Sequence, residues 1–246
     1  MTNLGLVSIS FRNLSPEIII EEVKKAGLSC IEWGSDVHAP CEDVEKLSKI
    51  ADMQQKADIF CSSYGTYFRL GVNDTNELQQ YIAAAKILGT NILRLWCGNK
   101  STESYTETEE LSLINECKKA AAIAEKNGVT LCMECHNGTY TEKKEGAIKL
   151  MKSVDSPAFR MYWQPNQYEE IDENMKYARL LAGFTKCIHV FNWDKDKRYP
   201  LAESINIWKE YLSFFPENIT LLLEFMPDDS ILSLKTETNA LKRLGE

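Results

Sequence analysis

Eight short apolar runs, each followed by a longer amphipathic one, predict that this 246-residue chain folds as an α/β protein, a closed (β/α)8 TIM barrel of eight parallel strands with outer helices. Two further observations favour closure over an open doubly wound sheet. Such a sheet usually carries a Gly-rich phosphate loop after its first strand, and the segment from Ser8 to Glu17 has no glycine. No linker or low-complexity tract breaks the alternation, so residues 1–246 are expected to form a single domain.

The beat begins with LGLVSIS at 4–10 and the helix after it, where Ser15 is the N-cap, Pro16 takes the first helical position and Gly27 closes the end. LSCIEWG at 28–34 precedes a helix over 42–57, and IFCSSYG at 59–65 precedes one over 74–88 that stops at Gly89. NILRLWCG at 91–98 leads to a long helix over 106–127, acidic at its N-terminus as the helix dipole favours. In the second half VTLCMECH, FRMYWQP, CIHVFNW and ITLLLEFM precede helices over 142–153, 169–182, 201–214 and 229–244.

Composition narrows the function. Thirty-six acidic residues outnumber 28 basic ones, which are scattered, and clustered Lys and Arg are what phosphate-backbone affinity needs. Nucleic acid is therefore not expected as a partner. No run approaches the ~20 apolar residues of a membrane span and the N-terminus has no signal-peptide pattern, so a cytoplasmic protein with no membrane partner is expected. The eight cysteines fall mostly inside strands as buried hydrophobes. Cys132 and Cys135 form a CxxC, but strand alternation aims them at opposite faces, which argues against redox or zinc chemistry.

Four apolar strands end on a polar residue: Glu134, Gln164, His189 and Glu224. Burying an ionisable group costs several kcal/mol or more without a partner, so these groups are expected to serve one another or one ion. In a barrel the C-terminal strand ends form the active-site face, and the four would converge there from adjacent staves. Two carboxylates, an imidazole and an amide oxygen suit Mn, Mg, Co or a catalytic Zn as a divalent metal, which polarises a hydroxy-ketone or aldose carbonyl. Glu134 and Glu224 facing each other across a substrate would pass a proton on and off carbon. The structural alternative for the glutamates is an ion pair with Arg94, and for His189 taken singly a satisfied core histidine.

The Glu, metal ligand, His, Glu order on the fifth to eighth strands resembles the xylose-isomerase-like TIM barrels, and within them the sugar-phosphate isomerase/epimerase group with its ketose 3-epimerases and hydroxypyruvate isomerase. The resemblance spans the chain as a beat of elements, with its motifs in the late strands and in IEWGSDVH. It implies Glu134 and Glu224 as paired ligands and acid/base residues, His189 as a ligand, and Arg198, in RYPL, as a substrate contact. Where the family has an Asp followed three residues later by a His, this chain has Gln164 and Gln167, which leaves the site one negative charge short.

Further substrate contacts are expected from His136, which shares strand parity with Glu134, and from Gln167, His38, Glu32, Trp33 and Trp193 on the same rim, the two tryptophans as a sugar-stacking wall. The expected activity is isomerisation or epimerisation of a small sugar or sugar acid, with a carbohydrate as partner and self-association into a homo-oligomer left open. The rivals are a metal-free or degenerate sugar-binding protein, a lyase, and an endonuclease of the superfamily. Only three histidines and a net charge of -8 fit the last poorly.

Overall fold

A computed structural model describes residues 2–244. The first half runs β1 (Leu4–Val7), α1 (Pro16–Ala26), β2 (Cys30–Gly34), α2 (Val44–Ala57), β3 (Phe60–Leu70), α3 (Leu78–Leu88), β4 (Ile92–Cys97) and α4 (Glu107–Asn127). The second runs β5 (Thr130–Glu134), α5 (Lys144–Val154), β6 (Phe159–Trp163), α6 (Ile171–Leu181), β7 (Thr185–Val190), β8 (Trp193–Asp194), β9 (Lys197–Arg198), α7 (Ile205–Leu212), β10 (Thr220–Leu223) and α8 (Leu234–Lys242). Eight strands pair in parallel around a closed barrel, and β10 returns to β1 through Leu4 opposite Leu221. The (β/α)8 expectation is met.

Local chemistry sets the ends. α1 starts at Pro16 and closes where Gly27 turns left-handed, its N–H donating to the carbonyls of Val23 and Lys24. α4 opens on a capping box, with the Thr106 side chain accepting from the Glu109 amide. The larger boundary differences from the sequence expectation are four. β3 runs on to Leu70 instead of stopping near Gly65, and 3-10 turns at Thr75–Glu77, Leu201–Ser204 and Ile231–Ser233 take up the starts expected for α3, α7 and α8. The antiparallel ribbon of β8 and β9, Trp193 opposite Arg198, lies in a segment with no periodicity long enough to reveal it.

Two layers fill the lumen. Val7, Cys30, Cys132, Tyr162, Cys187 and Leu222 make a buried apolar plug. Residues two further along five of those strands, Glu32, Glu134, Gln164, His189 and Glu224, form a polar layer above it, because a pleated strand returns to the same face every second residue. Cys132 lies in the plug while Cys135 packs with the outer core, so the CxxC straddles the barrel wall. All eight cysteines are free. Among the described residues no helix is long and apolar enough to cross a membrane.

Candidate active site

The polar layer forms a connected cluster at the C-terminal end of the barrel. Arg94 on β4 bridges two neighbours: its Nε donates to Glu32 at 2.7 Å and its Nη1 pairs with Oε2 of Glu134. Trp96 also donates to that Glu134 oxygen, at 2.5 Å. One oxygen of Glu134 is thus committed to two donors, and the other, Oε1, lies 3.5 Å from Nδ1 of His189. Oε2 of Glu224 is also 3.5 Å from that nitrogen, and the Gln164 side-chain oxygen is 2.8 Å from it. On its far side His189 meets Glu32, with Nε2 to Oε2 at 3.3 Å. Arg94 is thus paired with Glu134, as the structural alternative held, yet Glu134 keeps a free oxygen aimed at His189 and Glu224.

Burial makes these charges depend on one another. Desolvation raises the Glu32 carboxyl, but Arg94 and His189 outweigh it and hold the group at about 2. Glu134 is raised by burial and lowered further by Arg94 and then His189, ending well below the carboxylate range. Burial disfavours the His189 cation, while Glu224 and Glu32 favour it and lift the imidazole to about 10. Glu224 moves the other way: burial dominates and its carboxyl sits above the ordinary range.

A divalent cation fits this donor set. Glu134, His189 and Glu224 each offer one atom, and the three atoms lie within 4.8 Å of one another. Ligands about 2.1 Å from an ion stand roughly 3 to 3.5 Å apart at octahedral or tetrahedral angles, and the two spacings from His189 Nδ1 to the glutamates are 3.5 Å. The Gln164 oxygen is a fourth donor beside them. Each of the four stands at or just beyond a strand's C-terminal end, or within it for His189, so the barrel itself fixes their separation.

Above the cluster opens a cavity of about 400 Å3, lined by Glu134, Gln164 and Glu224 at its floor and by His136, Gln167 and Trp193 on its walls. His136 packs against Trp96, ring centroids 4.7 Å apart, and its Nδ1 is 2.7 Å from the carbonyl of Asn137, to which it donates. Trp193 stands between Phe191 and Phe225, each 5.4 Å away, and its buried indole N–H has no partner among the described residues. Phe225, directly after Glu224, has φ of 55°, a left-handed backbone that disfavours bulky side chains and that turns this ring into the cavity wall.

The other rim residues singled out in the sequence lie elsewhere. Trp33 is fully buried outside the barrel wall, its indole donating to Gln54 at 2.9 Å; being adjacent to the inward Glu32, it must face outward. His38 is buried against Ser8 and the Leu14 carbonyl, away from this cavity. Glu32 is 0% exposed and lies beneath the cavity without lining it. Arg198 does not line the cavity either: it stacks behind Trp193 and Phe225 at 4.8 and 4.7 Å and pairs with Asp229. In their place the cavity has Arg12, on the loop after β1, which donates to the Tyr67 hydroxyl at 2.6 Å and pairs with Asp36. Tyr67 sits on the part of β3 beyond Gly65, past the strand's apolar run.

The Xylose isomerase-like TIM barrel family model matches residues 20–215. No curated protein sequence matches the chain. Among solved structures, the probable 3-DHS dehydratase AsbF of Bacillus anthracis superposes with a TM-score of 0.82 at 15% identity, over 98% of this chain and 99% of that one. A D-psicose 3-epimerase of Clostridium cellulolyticum H10 gives 0.73 at 14% identity, over 98% and 97%. A xylose isomerase-like TIM barrel protein of Mycobacterium smegmatis in complex with magnesium gives 0.72 at 12%, over 100% and 97%. At these identities the superpositions show a shared fold, and the family match over most of the length carries the assignment: this chain belongs to the xylose isomerase-like TIM barrel family.

Proposed function

We propose that the protein is an enzyme that moves a proton on carbon beside the carbonyl of a small polyhydroxy compound, a sugar or sugar acid, isomerising or epimerising it over a divalent cation. The observation that carries this reading is the convergence of Glu134, His189 and Glu224 at the floor of the cavity, with the Gln164 oxygen beside them. When bound, the cation would polarise the substrate carbonyl and acidify the neighbouring C–H.

The two glutamates are not equivalent. Glu134 accepts from Arg94 and Trp96 and is a poor base, so its role is that of a ligand. Glu224, without such donors and less acidic, is the better group to take and return a proton. His136, its ring oriented by the Asn137 carbonyl, is the second proton carrier on the cavity wall. Trp193 offers its ring to a sugar face. Arg12 and Tyr67, also on the cavity lining, supply donors for a carboxylate or further hydroxyls.

Elimination is the second reading, because removal of the same proton begins a dehydration, and an imidazole partner such as His136 is suited to protonating a departing hydroxyl. A fold shared with a probable dehydratase and with epimerases is compatible with both. Incubation with ketoses, aldoses and hydroxy acids in D2O separates them. Deuterium entering a carbon next to the carbonyl with no loss of water supports isomerisation or epimerisation, an unsaturated product supports elimination, and neither event with any substrate contradicts the enzyme reading.

A further inference from the structure

We propose that Glu32 is the positioning carboxylate of this centre: from beneath the cavity it holds His189 with Nδ1 toward Glu134 and Glu224, and it supplies the negative charge that Gln164 does not. This rests on reading the cluster as a cation site. Glu32 is 0% exposed and out of reach of the cavity, so substrate contact cannot explain a carboxylate there. A carboxylate is costly to bury, and its three partners indicate what it is for.

Oε1 of Glu32 accepts from Arg94 at 2.7 Å, and Oε2 accepts from Ser63 at 3.0 Å and faces Nε2 of His189 at 3.3 Å. Ser63 is in turn 3.1 Å from the Tyr162 hydroxyl. A carboxylate at Nε2 keeps the proton on that nitrogen, so the proton a cation displaces is the one on Nδ1, whose lone pair then faces Glu134, Glu224 and Gln164. An imidazole that binds a metal through one nitrogen is oriented by the acceptor on the other.

The neighbouring backbone makes room for this arrangement. A Cβ at Gly65 would lie 2.6 Å from Oε1 of Glu32 and 2.8 Å from Nη2 of Arg94, so a side chain there would push the pair apart. Charge completes the case. With a neutral imidazole, Glu32, Glu134 and Glu224 against Arg94 leave two negative charges, the charge of one divalent ion. A carboxylate at position 164 would leave three.

Titration of the metal-free protein with Mn2+, for the wild type, Glu32→Gln and Ser63→Ala, tests this. Glu32→Gln places an amide against Nε2, and its N–H favours the tautomer with the proton on Nδ1. Mn2+ binding is expected to weaken by about 10- to 100-fold, and Ser63→Ala by a smaller factor. In Zn2+-loaded protein, 15N spectra should show His189 with zinc on Nδ1 and its proton on Nε2 in the wild type, and in Glu32→Gln a His189 that has left the zinc and carries its proton on Nδ1, a change that loosened packing alone would not cause. Affinity for Mn2+ unchanged in Glu32→Gln overturns the proposal. So does a wild-type His189 carrying its proton on Nδ1 with Zn2+ bound. If Glu32→Gln fails to fold, unchanged affinity in Ser63→Ala overturns it and weakened affinity supports it. A wild-type chain that binds no Mn2+ overturns this proposal and the cation reading together, whereas normal wild-type binding with an unaffected Glu32→Gln overturns the role of Glu32 alone.

Discussion

Nδ1 of His189 lies 2.8 Å from the side-chain oxygen of Gln164, so the strand-six position where the resemblance expects an Asp still directs an oxygen at the donor cluster. An amide oxygen donates more weakly than a carboxylate. Gln164→Asp is therefore expected to tighten Mn2+ binding by roughly ten-fold, about 1.4 kcal/mol, and Gln164→Leu to weaken it. Calorimetric titration checks both, and equal affinity in the three proteins removes Gln164 from the site.

Glu134 and Glu224 should fail differently. Glu134→Gln removes the charge that Arg94 and Trp96 hold in place, so metal affinity should drop with activity. Glu224→Gln should lower proton exchange into substrate by about 10²- to 10⁴-fold with a smaller change in affinity. Exchange rates in D2O beside metal titrations show the split, and identical profiles for the two variants contradict the division of roles.

Stability of the metal-free protein should depend on pH through His189 and Glu32. The His189 pKa is raised from 6.5 to about 10, so its contribution is complete below 6.5 and is lost as pH rises toward 10. For Glu32, lowered from 4.5 to about 2, the contribution is present above 4.5 and lost as pH falls toward 2. Coordination needs a neutral imidazole, so bound Mn2+ should displace a proton and protect most on the alkaline side. Melting temperatures with and without Mn2+ across this range test the prediction, which fails if the metal-free protein is as stable at about pH 9.5 as at about pH 6.

At Phe225, φ of 55° gives a test of backbone strain against ring contact. Phe225→Ala removes the ring and keeps a Cβ in the left-handed region, whereas Phe225→Gly removes both. Glycine should be the more stable of the two by about 1 kcal/mol, and both should raise KM for a sugar substrate by exposing Trp193. Chemical denaturation and steady-state kinetics read the two effects separately.

The barrel was legible because its strand and helix periods alternate without interruption, and the floor of the site because carboxylates and an imidazole stand out in runs such as LCMEC and CIHVF. Neighbours that lie across strands are hidden in the linear order. Nothing in the linear order places Arg94 between Glu32 and Glu134, which come from β2 and β5. Trp33 was within reach of sequence logic, since it cannot share a face with the adjacent Glu32. Arg198 was not: the β8–β9 ribbon that carries it behind Trp193 is too short to leave a periodic signal. Arg12 and Tyr67 were missed because one sits on a loop and the other on a strand that outlasts its apolar run.

The most direct test of the centre is elemental analysis of the protein after dialysis against Mn2+, for the wild type, His189→Ala and Glu224→Ala, with circular dichroism to confirm the fold. One ion per chain in the wild type and a loss of most of it in both folded variants is the predicted result. An empty wild type, or occupancy that both variants retain, contradicts a cation held by Glu134, His189 and Glu224.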